Sequence, residues 1–178
     1  MAADDPVPSL RKTITSESEP LAKRFRALFS LKHIASLTPP SNQTVPAIEA
    51  IAAAFTSPSA LLKHELAYCL GQSGKEEAIP FLRAVIEDRG EDAMCRHEAV
   101  EALGALTDEG SLDLLKGRRD DSSEEDVVRE TAEIAIERIE WAVSKAGKEE
   151  RLKKRYVCEP VVGNFKSMLT SVSVTLSR

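Results

Sequence analysis

The chain has 178 residues and a formal net charge of −5. That is enough length for one domain with a real core and short for two. Aromatic residues are 4% against 42% for AVILMFWYC, so the core must be built from Leu, Ile, Val and Ala, which favours helix packed on helix. The acidic balance argues against a nucleic-acid partner and suits a cationic one. No run of 18 apolar residues occurs, and Met1–Pro8 lacks the basic and apolar parts of a secretion signal, so a cytoplasmic or nuclear protein with no membrane partner is expected.

Met1 to Pro20 is polar, with prolines at 6, 8 and 20, and is expected to be a disordered leader. Repeats begin at Leu21. The segment Leu62-Lys63-His64-Glu65-Leu66-Ala67-Tyr68-Cys69-Leu70-Gly71 aligns with Cys95-Arg96-His97-Glu98-Ala99-Val100-Glu101-Ala102-Leu103-Gly104, placing His-Glu on His-Glu at a spacing of 33 residues. An earlier copy, Lys23 to Leu31, has Phe25-Arg26 in that place. A later one, Val127 to Trp141, has Glu130-Thr131. Between these first helices lie second helices expected at Pro46–Phe55, Glu76–Asp88 and around Ser111–Lys116. Ser57-Pro58 is expected to cap the second copy.

About four helix pairs at this period predict an all-α solenoid, a superhelix of antiparallel helix pairs over residues 21–141. Ankyrin repeats share the period, but their Thr-Pro-Leu-His is missing. Tetratricopeptide repeats fit Leu70-Gly71 followed by Glu76-Glu77-Ala78-Ile79, yet the aromatics of that family are lacking. HEAT-like repeats fit best. On the second copy Leu62, Leu66, Cys69 and Ser73 form a packing stripe. His64 lies about 200° round the helix from Leu66, on a face shared with Ala67, Tyr68 and Gly71; His97, Val100, Glu101 and Gly104 share the matching face.

The chain has only three histidines, and two of them occupy this one repeat position. Neighbouring first helices about 8–10 Å apart would let the two imidazoles meet on one ion. The adjacent glutamates, turned by about 100°, are free to bridge, to reach a second metal or to hold substrate. Imidazole and carboxylate without thiolate suit iron, manganese or zinc. Cys69, Cys95 and Cys158 form no CxxC and read as reduced thiols. Tyr68 and Met94 read as packing or rim residues, Trp141 as a cap on the last helix, and His33 as surface. Glu101 reads as a groove-lining acid within reach of substrate.

The two His-Glu segments, Leu62 to Gln72 and Met94 to Ala105, closely resemble deoxyhypusine hydroxylase. The resemblance extends over about residues 21–141. It implies a HEAT-like protein of two similar halves, each giving two His-Glu pairs, with the four pairs holding a dinuclear iron centre. It further implies O2-dependent hydroxylation of the deoxyhypusine side chain of a translation factor. His64, Glu65, His97 and Glu98 match the metal-ligand positions, with Fe2+ the implied metal; Glu98 and Glu101 are the candidate substrate contacts. Only the first half is expected here, so half of the ligands are present and the chain is expected to be inactive alone, as a monomer or weak homodimer.

Residues 142–178 hold 8 Lys/Arg against 3 Asp/Glu, leaving 16 against 26 in the remainder. This basic stretch fits neither the repeat nor a second half. It is expected to be a disordered, divergent tail, as in a truncated product. The reading from a different class is a non-catalytic HEAT scaffold that binds a protein partner.

Overall fold

The structure is a computed structural model that describes residues 5–150. Its repeat unit consists of α1 (Val7–Thr15), α2 (Leu21–Ala35), α3 (Thr44–Ala52), α4 (Ala60–Gln72), α5 (Ile79–Glu87), α6 (Ala93–Leu106), α7 (Leu112–Asp120) and α8 (Asp126–Val143), with short 3-10 turns preceding α5 and α7 and following α3. The first helices form a row: α2 packs on α4, α4 on α6, and α6 on α8. Behind them α3 lies against α2, α5 against α6 and α7 against α8. This is the expected all-α solenoid.

The row is cemented by aliphatic side chains at helical spacing. Leu62, Leu66, Cys69 and Leu70 of α4 are fully buried, as are Ala99 and Leu103 of α6 and Val128, Ala132 and Ile139 of α8. Each large aliphatic side chain so buried stabilises the fold by about 1.5–3 kcal/mol relative to exposure. Ser73, the polar member of the stripe, is buried with its hydroxyl donating to the Leu70 carbonyl at 2.6 Å. The helix starts are set locally. The Ser59 side chain accepts from the Leu62 amide and caps α4, one residue after Pro58 and not at Ser57; Asp92 accepts from the Met94 amide and caps α6. Each cap satisfies an amide that the helix itself leaves unpaired. Pro80 stands in the first turn of α5, where its missing N–H costs nothing.

Two glycines set how closely the first helices approach. A methyl group added at Gly71 of α4 would sit 2.7 Å from Ala102 Cβ on α6, and one at Gly104 of α6 would sit 3.0 Å from Ala135 Cβ on α8. The first contact is closer than real Cβ atoms come and the second is tighter than most, and they repeat with the same 33-residue offset. Glycine inside a helix costs about 0.5–1 kcal/mol relative to alanine. The return is backbone-close contact between the helices that carry the two His-Glu pairs.

The leader departs from its expected disorder. Val7 to Thr15 form α1, whose Val7 and Ile14 are buried against α2 and α3. Arg24 of α2, itself buried, donates from Nε to the Ile14 carbonyl at 2.8 Å and from Nη1 to Glu17 at 2.7 Å. The spacing Val7, Leu10, Ile14 is a helical stripe that the flanking prolines obscure. α7 is also longer than expected and runs through Gly117 to Asp120. α8 continues past Trp141 to Val143, and residues 145–150, which belong to a separate unit beginning at Ser144, are helical. The expected disorder of 142–178 is thus wrong for these positions; the rest of that tail, with Cys158, lies outside the described residues.

A buried ion cluster fixes the turn before α8. Glu124 accepts from Arg96 of α6 and from Arg89, both at 2.7 Å, and Arg89 also pairs with Asp121. Burial works to raise the Glu124 pKa, but the hydrogen bonds from Arg96 and the Glu125 amide, with the charges of Arg96 and Arg89, outweigh it and leave the carboxyl below its ordinary value.

Two predictions follow from this packing. Gly71→Ala should destabilise the chain in urea by about 1–3 kcal/mol from overpacking, despite its better helix propensity; unchanged stability would show that α4 and α6 can part freely. Glu124→Gln should cost about 3 kcal/mol at pH 7, because it leaves buried Arg96 without its counter-charge. Since the folded-state pKa of Glu124 is depressed, that contribution is present above the ordinary value of 4.5 and lost as pH falls through the folded value. Wild type and variant should therefore converge in acid unfolding profiles.

Candidate metal centre

α4 and α6 bring His64 and Glu98 together across the seam between them, while His97 turns to the α8 side of α6. His64 Nε2 lies 3.1 Å from Glu98 Oε2 across the seam, and His64 Nδ1 lies 3.5 Å from its neighbour Glu65. On α6, His97, Glu98 and Glu101 each offer a ligand atom, and these atoms lie within 4.8 Å of one another. Glu98 belongs to both groups. It is the junction of a continuous run, Glu65–His64–Glu98 and then His97 and Glu101. The expected meeting of the two histidines therefore takes the form of a shared carboxylate.

The face that carries His64 is not freely exposed. Ala67 on it is buried and Gly71 lies against α6, as Val100 on the matching face of α6 is buried and Gly104 lies against α8. His64, Glu65 and His97 are half-buried, Glu101 is exposed, and Glu98 is 7% exposed. Two hollows open beside the run. One, of about 400 Å³, is lined by Leu61, His64, Glu65 and Met94; the other, of about 270 Å³, by His97, Glu101, Thr131, Ile134 and Arg138. Tyr68 and Met94 stand on the surface as rim residues, Trp141 is half-exposed, and His33 is exposed on α2.

The electrostatics match a cation site. Burial pushes the Glu98 carboxyl above its ordinary pKa; His64 opposes this, and Glu101 and Glu65 add to it. A buried carboxylate beside two others has little positive charge around it, which a proton or a cation would supply. The donors are two imidazoles and three carboxylates. No cysteine stands in the His97–Glu98–Glu101 group; burial pushes the Cys69 and Cys95 thiols up to about 12, with Glu65 and Glu91 adding to it respectively. Both are free thiols inside the core. The donor set suits a hard or borderline divalent ion such as iron, manganese or zinc, so the residues present fit the group that the resemblance implies.

Comparison with known proteins fits this geometry. Residues 45–137 match the family of HEAT repeats. The chain belongs to that family. Over 151 residues, 85% of its length, it is 72% identical to deoxyhypusine hydroxylase of Phaeosphaeria nodorum, and over 150 residues, 84% of its length, 73% identical to that of Coccidioides immitis. Among solved structures, human deoxyhypusine hydroxylase in complex with glycerol superimposes with a TM-score of 0.67 at 40% identity, over 89% of this chain. The chain spans 46% of the Phaeosphaeria protein, 45% of the Coccidioides protein and 48% of the human one, about half the length of the relatives it matches.

Two features escaped the sequence reading. Glu101 stands in the metal-competent group as well as on the groove, which its position one turn beyond His97 would have indicated. Thr131 of α8 lies 2.6 Å from His97 Nδ1; it was visible as the residue that replaces glutamate in the fourth copy. Among the described residues no helix is long and apolar enough to cross a membrane.

The buried thiols give a direct check on the packing of α4 and α6, which carry the site. Cys69 and Cys95 should resist alkylation at pH 7.5 in the native chain and react fully in guanidinium, followed peptide by peptide by mass spectrometry. Native labelling at the rate of a free thiol would show that both thiols reach solvent and overturn their burial in the core beside the cluster-bearing helices.

Proposed function

We propose that this chain carries half of a dinuclear iron centre for deoxyhypusine hydroxylation. The reaction is O2-dependent conversion of the deoxyhypusine side chain of a translation factor to hypusine, in the cytoplasm. The observation that carries the reading is Glu98, a buried carboxylate shared between His64 on one helix and the His97–Glu101 group on the next. The names of the relatives support it over most of the chain's length.

His64, Glu65, His97 and Glu98 would hold the metal. When bound, iron supplies O2 activation, which side-chain acid–base chemistry cannot provide for an unactivated C–H bond. The chain's own residues do the rest. The close packing of α4, α6 and α8 holds the donors at fixed spacing. Glu101, exposed beside the cluster, faces the open hollow as an anionic group for the amines of a polyamine-like side chain. Apolar Leu61, Met94 and Ile134 border the hollows and shield the methylene part of that arm from water. Two pairs are half of the four that the resemblance implies, so full activity calls for a second pair of motifs, from a second copy or another chain.

Anaerobic Fe2+ titration of the purified chain with native mass measurement tests the reading. Iron uptake should be abolished in His64→Ala/His97→Ala, and turnover of deoxyhypusine to hypusine should track the fraction of chains that assemble four pairs. A chain that takes up no iron, and whose partner binding is indifferent to the double substitution, would establish the scaffold reading instead.

A further inference from the structure

The two histidines reach across their seams by the same rule. His64 meets Glu98, 34 residues downstream on the next first helix, and His97 meets Thr131, again 34 residues downstream. The repeat therefore presents the same position, occupied by Glu in one copy and by Thr in the next, to the histidine of the copy before it.

We infer that Thr131 is a positioning residue that fixes the tautomer and ring orientation of His97, so that Nε2 is the atom offered to the metal. The argument rests on counting one proton. A threonine hydroxyl has a single hydrogen, and that of Thr131 is committed to the Val127 carbonyl at 2.7 Å, an acceptor with nothing to donate. The contact to His97 Nδ1 at 2.6 Å must then run the other way, with Nδ1–H donating to the hydroxyl oxygen. A neutral imidazole protonated at Nδ1 carries its lone pair on Nε2. Metal-ligating histidines are held in this manner by an acceptor on the far ring nitrogen. Here the acceptor is a neutral hydroxyl, itself locked by its own helix.

Thr131 also ends the row of donors. A glutamate in its place would bring another carboxylate to the seam, as Glu98 is brought to His64; threonine instead supports the ring without adding charge or a competing ligand. α8, which carries no His-Glu pair, thus belongs to the site as its supporting wall. Gly104 and Ala135 hold that wall close enough to α6 for the contact to form.

This inference rests on the metal-binding reading above, and its test separates the two. Thr131→Val keeps the shape and removes the hydroxyl; Thr131→Ser keeps the hydroxyl. Two quantities are measured on the full chain: anaerobic Fe2+ affinity, and the protonation pattern of the His97 ring in the metal-free protein by two-bond proton–nitrogen spectra. Thr131→Val should weaken Fe2+ binding by about 10–100-fold and abolish the pure Nδ1–H pattern, while Thr131→Ser retains both. Iron uptake by wild type with an unchanged affinity or an unchanged Nδ1–H pattern in Thr131→Val overturns the inference alone. Failure of wild type to take up iron overturns the metal reading, and this inference with it.

Discussion

The close approach of α4, α6 and α8 is the constraint on which the site depends. Helices meeting through Leu or Ile would stand apart at the wide end of the usual 8–10 Å range. Gly71 against Ala102 and Gly104 against Ala135 bring backbone to backbone, at a modest cost in helix propensity. From that closeness follow the two contacts that make the site: His64 to Glu98 across the first seam, and His97 to Thr131 across the second. Repetition copies the seam with its glycine, and substitution within each copy decides whether the seam holds a ligand or a support.

The burial of Glu98 translates this geometry into chemistry. A carboxylate at the surface would be satisfied by water; one buried between two helices, with other carboxylates near and only a half-buried imidazole to answer it, favours a cation or a proton. The remaining charge of the fold is handled differently. Glu124 is equally buried, but guanidinium groups surround it and depress its pKa. The two buried glutamates lie on opposite sides of the same physics: arginines hold one as a carboxylate, and burial with neighbouring acids pushes the other up. Arg96 and His97 are adjacent in sequence, so the ion cluster that anchors the turn before α8 also steadies the helix turn that carries a candidate ligand.

Much of this was legible in the sequence. The 33-residue offset of the His-Glu pairs predicts the solenoid, its first helices and the candidate residues that cluster on α4 and α6, because a repeat forces equivalent positions onto equivalent faces. Less legible was what crosses between repeats. A periodic pattern says that His64 and His97 sit alike; it does not say that the histidine of one copy faces the glutamate position of the next, which depends on the offset between neighbouring helices and so on Gly71 and Gly104. α1 was missed because three prolines suggested a coil, while its order comes from a distant residue, Arg24, which binds the Ile14 carbonyl. α7 runs past the expected Lys116 because Arg118, Arg119 and Asp120, polar in sequence, close a helix whose buried Leu115 holds it to the core.

The measurement that bears most directly on the account is anomalous diffraction at the iron edge from crystals of the chain loaded with Fe2+. The account predicts an iron peak at the α4–α6 seam, within bonding distance of Glu98 and of a histidine ring from His64 or His97. An iron bound elsewhere, with Glu98 still paired only to His64, would contradict it.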